Sequence, residues 1–328
     1  MKKLSNMGER KAIDFISKIL SKGDAAVGIG DDCAALDFGE DYLLISTDTI
    51  SEKTHIPKIM TPWQIGWFIV AINLSDIAAK GGKPLGLVLS LNLPKDTSDR
   101  FLEELNEGAD KCATTYNTAI IGGDTKENPI ITLCGTAFGI VQKDEFMPRK
   151  GTKPNDIVAV TGNLGKAGAG YYAIKHSIDD KEILKGLLEP KPKLQEGITL
   201  AKEKIVTSCM DISDGLSSSL YQLQELNKVG FEIKQEKIPL SPMLLKLSTE
   251  DKNLNTYNYG LHFGGDYELL LTIPKDKFEK AQKIVEKTGG QLTNIGKVTG
   301  GNKIYISDKD VKKILPNKGY EHFKNFNF

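Results

Sequence analysis

Five short acidic motifs, each set beside an apolar segment, constrain this chain more than any other feature. They are Gly28-Ile29-Gly30-Asp31-Asp32, Ser46-Thr47-Asp48, Asn73-Leu74-Ser75-Asp76, Gly122-Gly123-Asp124-Thr125 and Asp211-Ile212-Ser213-Asp214-Gly215. A fold that brings them together gathers seven carboxylates, which repel one another unless cations fill the space between them. Asp76 is the most telling of these residues. It lies in an apolar segment with helical character, and a buried aspartate without a partner costs several kcal/mol.

The pattern around the motifs alternates strands and helices, so the class is α/β or α+β. Apolar spacing predicts an amphipathic helix over 9–21. Strands are expected over 34–38, 42–47, 85–93, 119–121 and 130–141. A helix over 62–79 has Thr61 as cap, Pro62 in its first turn and Gly81-Gly82 as its stop, and Ser98 caps a second over 98–116. The polar, turn-rich stretch 147–156 divides the chain into 1–147 and 148–328, as 328 residues exceed what one core usually supports. Beyond it, strands are expected over 157–161, 207–210, 231–235, 267–273 and 292–298. Helices are expected over 164–175, 193–203, 213–227 and 275–287.

Composition narrows the function. Lys+Arg and Asp+Glu are both 43, so no global basic field attracts nucleic acid or an anionic membrane. The longest apolar run, 65–74, is too short to span a bilayer, and no apolar stretch of a secretory signal follows the basic N-terminus. Cys33, Cys112, Cys134 and Cys209 are dispersed, with no pair at metal-ligand spacing. That suits a reducing cytoplasm.

The glycine-rich run 161–170 follows a strand and opens a helix, but it is not a phosphate loop. A Walker motif needs glycine where Val160 stands and Ser or Thr where Ala167 stands. Its small residues suit close helix packing instead. In 211–215, Ser213 or Asp214 is placed to cap a helix, and a helix start offers N–H groups to an anion beside carboxylates for a cation. Gly122-Gly123 would let a phosphate or base approach the backbone, with Asp124 as a hard ligand. A hairpin turn is the plainer reading of that stretch taken alone. All candidate donors are oxygens, which selects Mg²⁺ over zinc or copper. Several Mg²⁺ ions with few protein ligands each call for phosphates to complete their coordination. No activated Ser, Cys or His nucleophile is evident, so direct in-line transfer from a nucleoside triphosphate is the economical chemistry.

Taken in order, Gly28 to Leu36, Ser46 to Thr49, His55, Asn73 to Ala79, Gly122 to Thr125, Asp211 to Gly215 and Gly319-Tyr320-Glu321-His322-Phe323 resemble the thiamine-monophosphate kinase family. That family belongs to the superfamily of aminoimidazole ribonucleotide synthetase. The resemblance implies ATP-dependent phosphorylation of thiamine monophosphate to the diphosphate, with several Mg²⁺ ions. It implies a homodimer whose N-terminal strands form a barrel across the two subunits, with a C-terminal α/β domain on each. Asp32, Ser46, Thr47, Asp48, Asp76, Asp124, Asp211 and Asp214 match metal positions. Gly123, Arg149, Ser213 and Tyr116 match ATP positions, and a guanidinium fork suits phosphate. His55 and Tyr320 match substrate positions, and Tyr320 suits a cationic thiazolium ring. One departure stands out. Where the family reads Gly-Gly-Glu-Asp-Tyr-Glu-Leu, this chain reads Gly264-Gly265-Asp266-Tyr267-Glu268-Leu269. Gly265 or Asp266 then takes the place of a glutamate near the substrate. Two other readings are a different ATP-dependent synthetase of the same superfamily and a non-catalytic nucleotide-binding regulator.

Overall fold

Helix 62–79 is the element on which both halves of the chain converge. In the computed structural model, which describes residues 3–21, 23–309 and 311–324, its expected start and stop are both observed. The Thr61 hydroxyl accepts from Gln64 N at 3.2 Å, and the Gln64 side chain accepts from Thr61 N at 3.1 Å. This reciprocal pair closes the first turn. At the other end Gly81 adopts φ +70°, and Gly82 N reaches back to the Ile77 carbonyl.

In chain order the first half contains α1 (Leu4–Met7), α2 (Glu9–Ser17), β1 (Ala34–Phe38), β2 (Asp41–Ser51), α3 (Pro62–Ala79), β3 (Lys83–Leu93), α4 (Asp99–Thr115), β4 (Ile120–Glu127) and β5 (Thr132–Gln142). The second half contains β6 (Ile157–Thr161), α5 (Lys166–Lys175), α6 (Lys181–Leu188), α7 (Leu194–Lys202), β7 (Ser208–Asp211), α8 (Leu216–Asn227) and β8 (Gly230–Lys234). It continues with α9 (Pro242–Glu250), α10 (Thr256–His262), β9 (Leu269–Ile273), α11 (Phe278–Lys287), β10 (Leu292–Thr299), β11 (Ile304–Asp308) and β12 (Val311–Ile314). The first sheet runs β1-β2-β5-β3-β4, with only β3 and β4 parallel. The second runs β12-β11-β8-β10-β6-β9-β7, with only β8 and β11 parallel.

Strand alternation assigns the two faces of the first sheet. Leu44, Ser46, Asp48 and Ile50 of β2, and Leu87, Leu89, Leu91 and Leu93 of β3, face α3. Glycines let the helices come close to this core. A Cβ on Gly66 would stand 1.8 Å from the Leu105 carbonyl oxygen of α4, and one on Gly197 of α7 would stand 2.1 Å from that of Ala78. Contacts at that range admit no side chain, so α3 is clamped between the first sheet, α4 and the second half of the chain.

Several expectations are corrected. The segment Gly122–Thr125 is no turn: it lies inside β4, which continues to Glu127. Its glycines serve strand pairing, for a Cβ on Gly123 would meet the Leu89 carbonyl oxygen at 2.0 Å. Neither Ser213 nor Asp214 caps α8, whose N-cap is Gly215 at φ +94° without a side-chain bond. The N-terminal helix ends at Ser17. Its apolar residues Phe15 and Ile16 are exposed, with only Ala12 buried. Helices α1, α6, α9 and α10 and strands β11 and β12 lay outside the sequence expectations. The close-packing role of 161–170 holds: a Cβ on Gly170 would meet the Leu187 side chain at 2.6 Å. All four cysteines are free thiols, and no helix among the described residues is long and apolar enough to cross a membrane.

Candidate metal and phosphate site

Three carboxylates from three elements meet where α3, β7 and the turn before β1 converge. Asp32, Asp76 and Asp211 each offer an oxygen within 4.8 Å of the others. Among the described residues no other set of three His, Cys, Asp or Glu side chains comes so close. Hydroxyls orient them. Ser46 Oγ donates to Asp76 Oδ2, and Ser75 Oγ donates to Asp211 Oδ2 at 2.7 Å. Each serine belongs to one of the acidic motifs, so the small polar residues beside the aspartates now have a physical role.

Burial and mutual repulsion govern the protonation of this group. Burial, then Asp48 and Asp211, pushes Asp76 well above the usual carboxylate range. Burial and Asp32 raise Asp211 to about 7. Burial, Asp32 and Glu9 raise Asp48 to about 6. Asp32 behaves in the opposite sense. Burial alone would raise it, but Arg149 and Lys80 outweigh burial and hold it below the ordinary value.

The Asp31-Asp32 pair is the most heavily bonded part of the site. Arg149 Nε donates to Asp32 Oδ1 at 2.8 Å, and Nη2 of the same fork grips that oxygen too. Asp31 accepts from Arg149 N at 2.9 Å and from Lys80 Nζ at 2.5 Å. Asp31 is thus an orienting group, and Asp32 joins the trio. Asp32 Oδ2 lies 2.7 Å from Lys80 Nζ, the second half of a buried ion pair. Asn73 Oδ1, one turn before Asp76 on α3, is buried without a partner. Buried polar atoms rarely stay unsatisfied without a functional reason. One unpartnered amide oxygen beside three converging carboxylates, with no soft donor among them, fits a hard divalent cation.

The remaining expected residues divide by position. Ser46 and Asp48 are on the α3 side. Thr47 is on the opposite face of β2, bonded to the Gly135 carbonyl at 3.0 Å and to Thr136. Asp124 is also on that outer face: it pairs in register with Ser90, whose neighbours Leu89 and Leu91 point inward. Its carboxylate is exposed and 3.5 Å from Lys126 Nζ. Three strand spacings separate β4 from β2, about 14 Å, so one chain does not bring Asp124 or Gly123 to the trio. Arg149 is turned onto Asp32, because a guanidinium fork matches a carboxylate as well as a phosphate. Tyr116 lies beside Trp67, ring centroids 6.5 Å apart.

Asp214 stands at the edge of the site. Burial, followed by Glu9, raises it to about 6, and its carbonyl accepts from Tyr320 N at 3.1 Å. The Ser213 carbonyl accepts from Gly265 N at 2.7 Å, and Ile212 O from Tyr267 N at 3.0 Å. The segment 265–268 is therefore laced to the loop that carries Asp211 and Asp214. Asp266 is not open to a ligand: its two oxygens accept from Gly165 N at 2.5 Å and Ala167 N at 3.0 Å, closing the start of α5. His55 and Tyr320 do come together, through a residue the sequence reading left unassigned. The His322 ring is 5.3 Å from that of His55 and 4.8 Å from that of Tyr320. Burial and His322 lower His55 to about 4.

Lys80 and Tyr267 were also missed. Lys80 closes an 18-residue apolar helix, a position at which a lysine ordinarily reads as a solvated cap. Tyr267 holds φ +49°, which a bulky side chain rarely adopts, and its ring meets Phe68 of α3 edge-on. Nothing in its sequence neighbourhood announced that conformation.

Comparison with known proteins places the chain in a family. The AIR synthase related protein family matches twice, its N-terminal domain over residues 30–141 and its C-terminal domain over 153–309. The thiamine-monophosphate kinase of Methanospirillum hungatei is 37% identical over 96% of this chain and 99% of its own length. That of Aquifex aeolicus is 31% identical over 98% and 100%. A solved structure described as AaThiL complexed with AMPPCP and TMP superposes with a TM-score of 0.87 at 29% identity, covering 98% of this chain and 99% of that one. The Escherichia coli hydrogenase maturation protein HypE shares the fold alone, with a TM-score of 0.73 at 19% identity over 94% and 97%. From two matched domains and full-length relatives, the chain belongs to the AIR synthase related family, on its thiamine-monophosphate kinase branch.

Proposed function

We propose that this chain is an enzyme that transfers the γ-phosphoryl group of ATP to thiamine monophosphate, forming thiamine diphosphate. The observation that carries the reading is the Asp32–Asp76–Asp211 trio, three carboxylates from three elements whose oxygens lie within 4.8 Å of one another. The relatives named thiamine-monophosphate kinase and the neighbour described with AMPPCP and TMP support the choice of substrates.

In this reading Asp32, Asp76 and Asp211 hold Mg²⁺, with Ser46, Asp48 and Asp214 nearby. The bound ions supply the positive charge that lets two phosphate groups approach one another. Ser46 and Ser75 keep the carboxylates turned inward. Arg149 lies at the rim, 18% exposed, and would exchange its carboxylate for a phosphate. An oxygen of the substrate phosphate, already ionised at neutral pH, attacks the γ-phosphorus in line, so no side chain has to remove a proton. His55 and Tyr320, with His322 between them, form an aromatic wall suited to a cationic heterocycle. The working division is 1–147 for ATP, metal and dimerisation and 148–328 for the α/β domain.

The dimer reading has support from the outer face of the first sheet. There Leu36 and Phe38 of β1 and Ile121 of β4 are exposed. Among the described residues β4 pairs only with β3, which leaves an edge open. A second copy covering this face would bury the apolar rows and bring Thr47, Gly123 and Asp124 toward a subunit boundary. Incubation with ATP, Mg²⁺ and thiamine monophosphate, followed by separation of products, tests the activity. Thiamine diphosphate and ADP in equal amounts support it. ATP binding without turnover, or ADP formed only with another acceptor, refutes it.

A further inference from the structure

Lys80 has no part in the chemistry above, yet it is fully buried at the centre of the site. Its ammonium lies 2.5 Å from Asp31 Oδ1, 2.7 Å from Asp32 Oδ2 and 2.9 Å from the Cys209 carbonyl oxygen. The ring of Phe146 is 5.9 Å away. An ammonium has three donors, and three oxygens from two separate segments meet it. The other cation of the site, Arg149, reaches the surface and can change partners by rotating its side chain. Lys80 cannot. It follows the last turn of α3 at 0% exposure, so moving it means unpacking the helix that carries Asp76.

We propose that Lys80 is a chain-supplied cation within the metal cluster. It sets the charge that the cluster presents to divalent ions, while Arg149 holds the Asp31-Asp32 turn in place through Asp31 Oδ2 and Asp32 Oδ1. The chain thereby supplies permanently one unit of the positive charge that these carboxylates require. The proposal rests on reading the cluster as a divalent-cation site.

The consequence is specific. Replacing the ammonium by an apolar group of similar length leaves the carboxylates more negative, so divalent ions bind more tightly while the metal-free fold weakens. The test uses the whole chain with Mn²⁺ alone as probe, counted by electron paramagnetic resonance, together with melting curves with and without Mn²⁺. Lys80→Met should bind Mn²⁺ on the order of tenfold more tightly, or take up one additional ion. Its melting temperature should fall without Mn²⁺ and recover more than the wild type's on adding it. Lys80→Arg, which keeps the charge, should restore the wild-type Mn²⁺ affinity even if its bulk lowers the melting temperature. Unchanged Mn²⁺ binding in Lys80→Met, with equal loss of stability with and without the ion, would make Lys80 a packing residue and overturn the proposal. If Lys80→Met does not fold, Asp31→Asn decides. Removing a negative charge from the pair should weaken Mn²⁺ binding about threefold or more, and unchanged affinity overturns the proposal. If the wild type itself binds no Mn²⁺, the metal reading falls and takes this inference with it.

Discussion

On the inner face of the first sheet, Ser46 and Asp48 meet Asp76 on α3, and behind them Asp211 and Asp32 close the group. On the outer face of the same strands, Thr47 and Asp124 face outward, about 14 Å apart across the sheet. Both faces come from the same short motifs, since Ser46-Thr47-Asp48 alternates inside and outside. The inner face is finished within one chain because a buried helix packs on it, whereas the outer face ends in exposed apolar side chains and an open edge. Adjacent residues of one motif can therefore belong to two environments, and only one of these is complete in the monomer.

The largest expected effect is on the inner face. Asp76→Asn should lower turnover by at least about a thousandfold while the chain still folds, because it removes a carboxylate that burial and its neighbours disfavour. Steady-state product formation and a melting curve check both halves. Full activity would mean that the inner cluster is not the reaction centre. Chelation of divalent ions should abolish turnover reversibly, with recovery on adding Mg²⁺.

The next effect tests whether the outer face belongs to a site shared between two copies. Asp124→Asn should itself be nearly inactive. Mixing it with Asp76→Asn by unfolding and refolding together should restore about a quarter of the wild-type activity if Asp124 serves the partner's site, since half the dimers then hold one intact site. No recovery would assign Asp124 to its own chain or to no site.

A smaller effect concerns stability and pH. Asp48 and Asp211 are raised above the ordinary 3.8, to about 6 and about 7, burial being the main cause. Groups raised in the folded state favour folding below their unfolded values, and this contribution is lost as pH rises through the folded ones. The metal-free protein should therefore lose stability as pH climbs from about 4 to about 7, and Mg²⁺ should flatten the fall. A melting temperature that rises through this window would contradict the inner-face electrostatics. The smallest effect is local. Gly123→Ala should destabilise by ~1–3 kcal/mol through its clash with the Leu89 carbonyl, measurable by denaturant unfolding, and should leave the inner trio in place.

Much of this molecule was legible in its sequence. Helix α3 was readable to the residue because Thr61, Pro62 and Gly81 are local signals that act within one turn. The acidic motifs were readable as a group because oxygen donors and small residues recur beside apolar strands. Lys80 was not assigned, since a lysine after a helix normally reads as a solvated cap. The hold on Asp266 was not legible, because the backbone N–H groups of Gly165 and Ala167 that bond its two oxygens come from a segment about a hundred positions earlier.

The sequence alone determined the chemistry on offer: hard oxygen ligands, a guanidinium, and no activated nucleophile. Those are properties of side-chain type, which folding does not alter. The tertiary structure decided which of these groups meet. Strand parity separated Thr47 from Ser46 and Asp48, and sheet order kept Asp124 apart from Asp48. The crossing of α3 with β7 joined Asp76 to Asp211 from 135 positions away. Such encounters depend on non-local packing, and burial then converts proximity into function by shifting charge states and fixing Lys80 among the carboxylates.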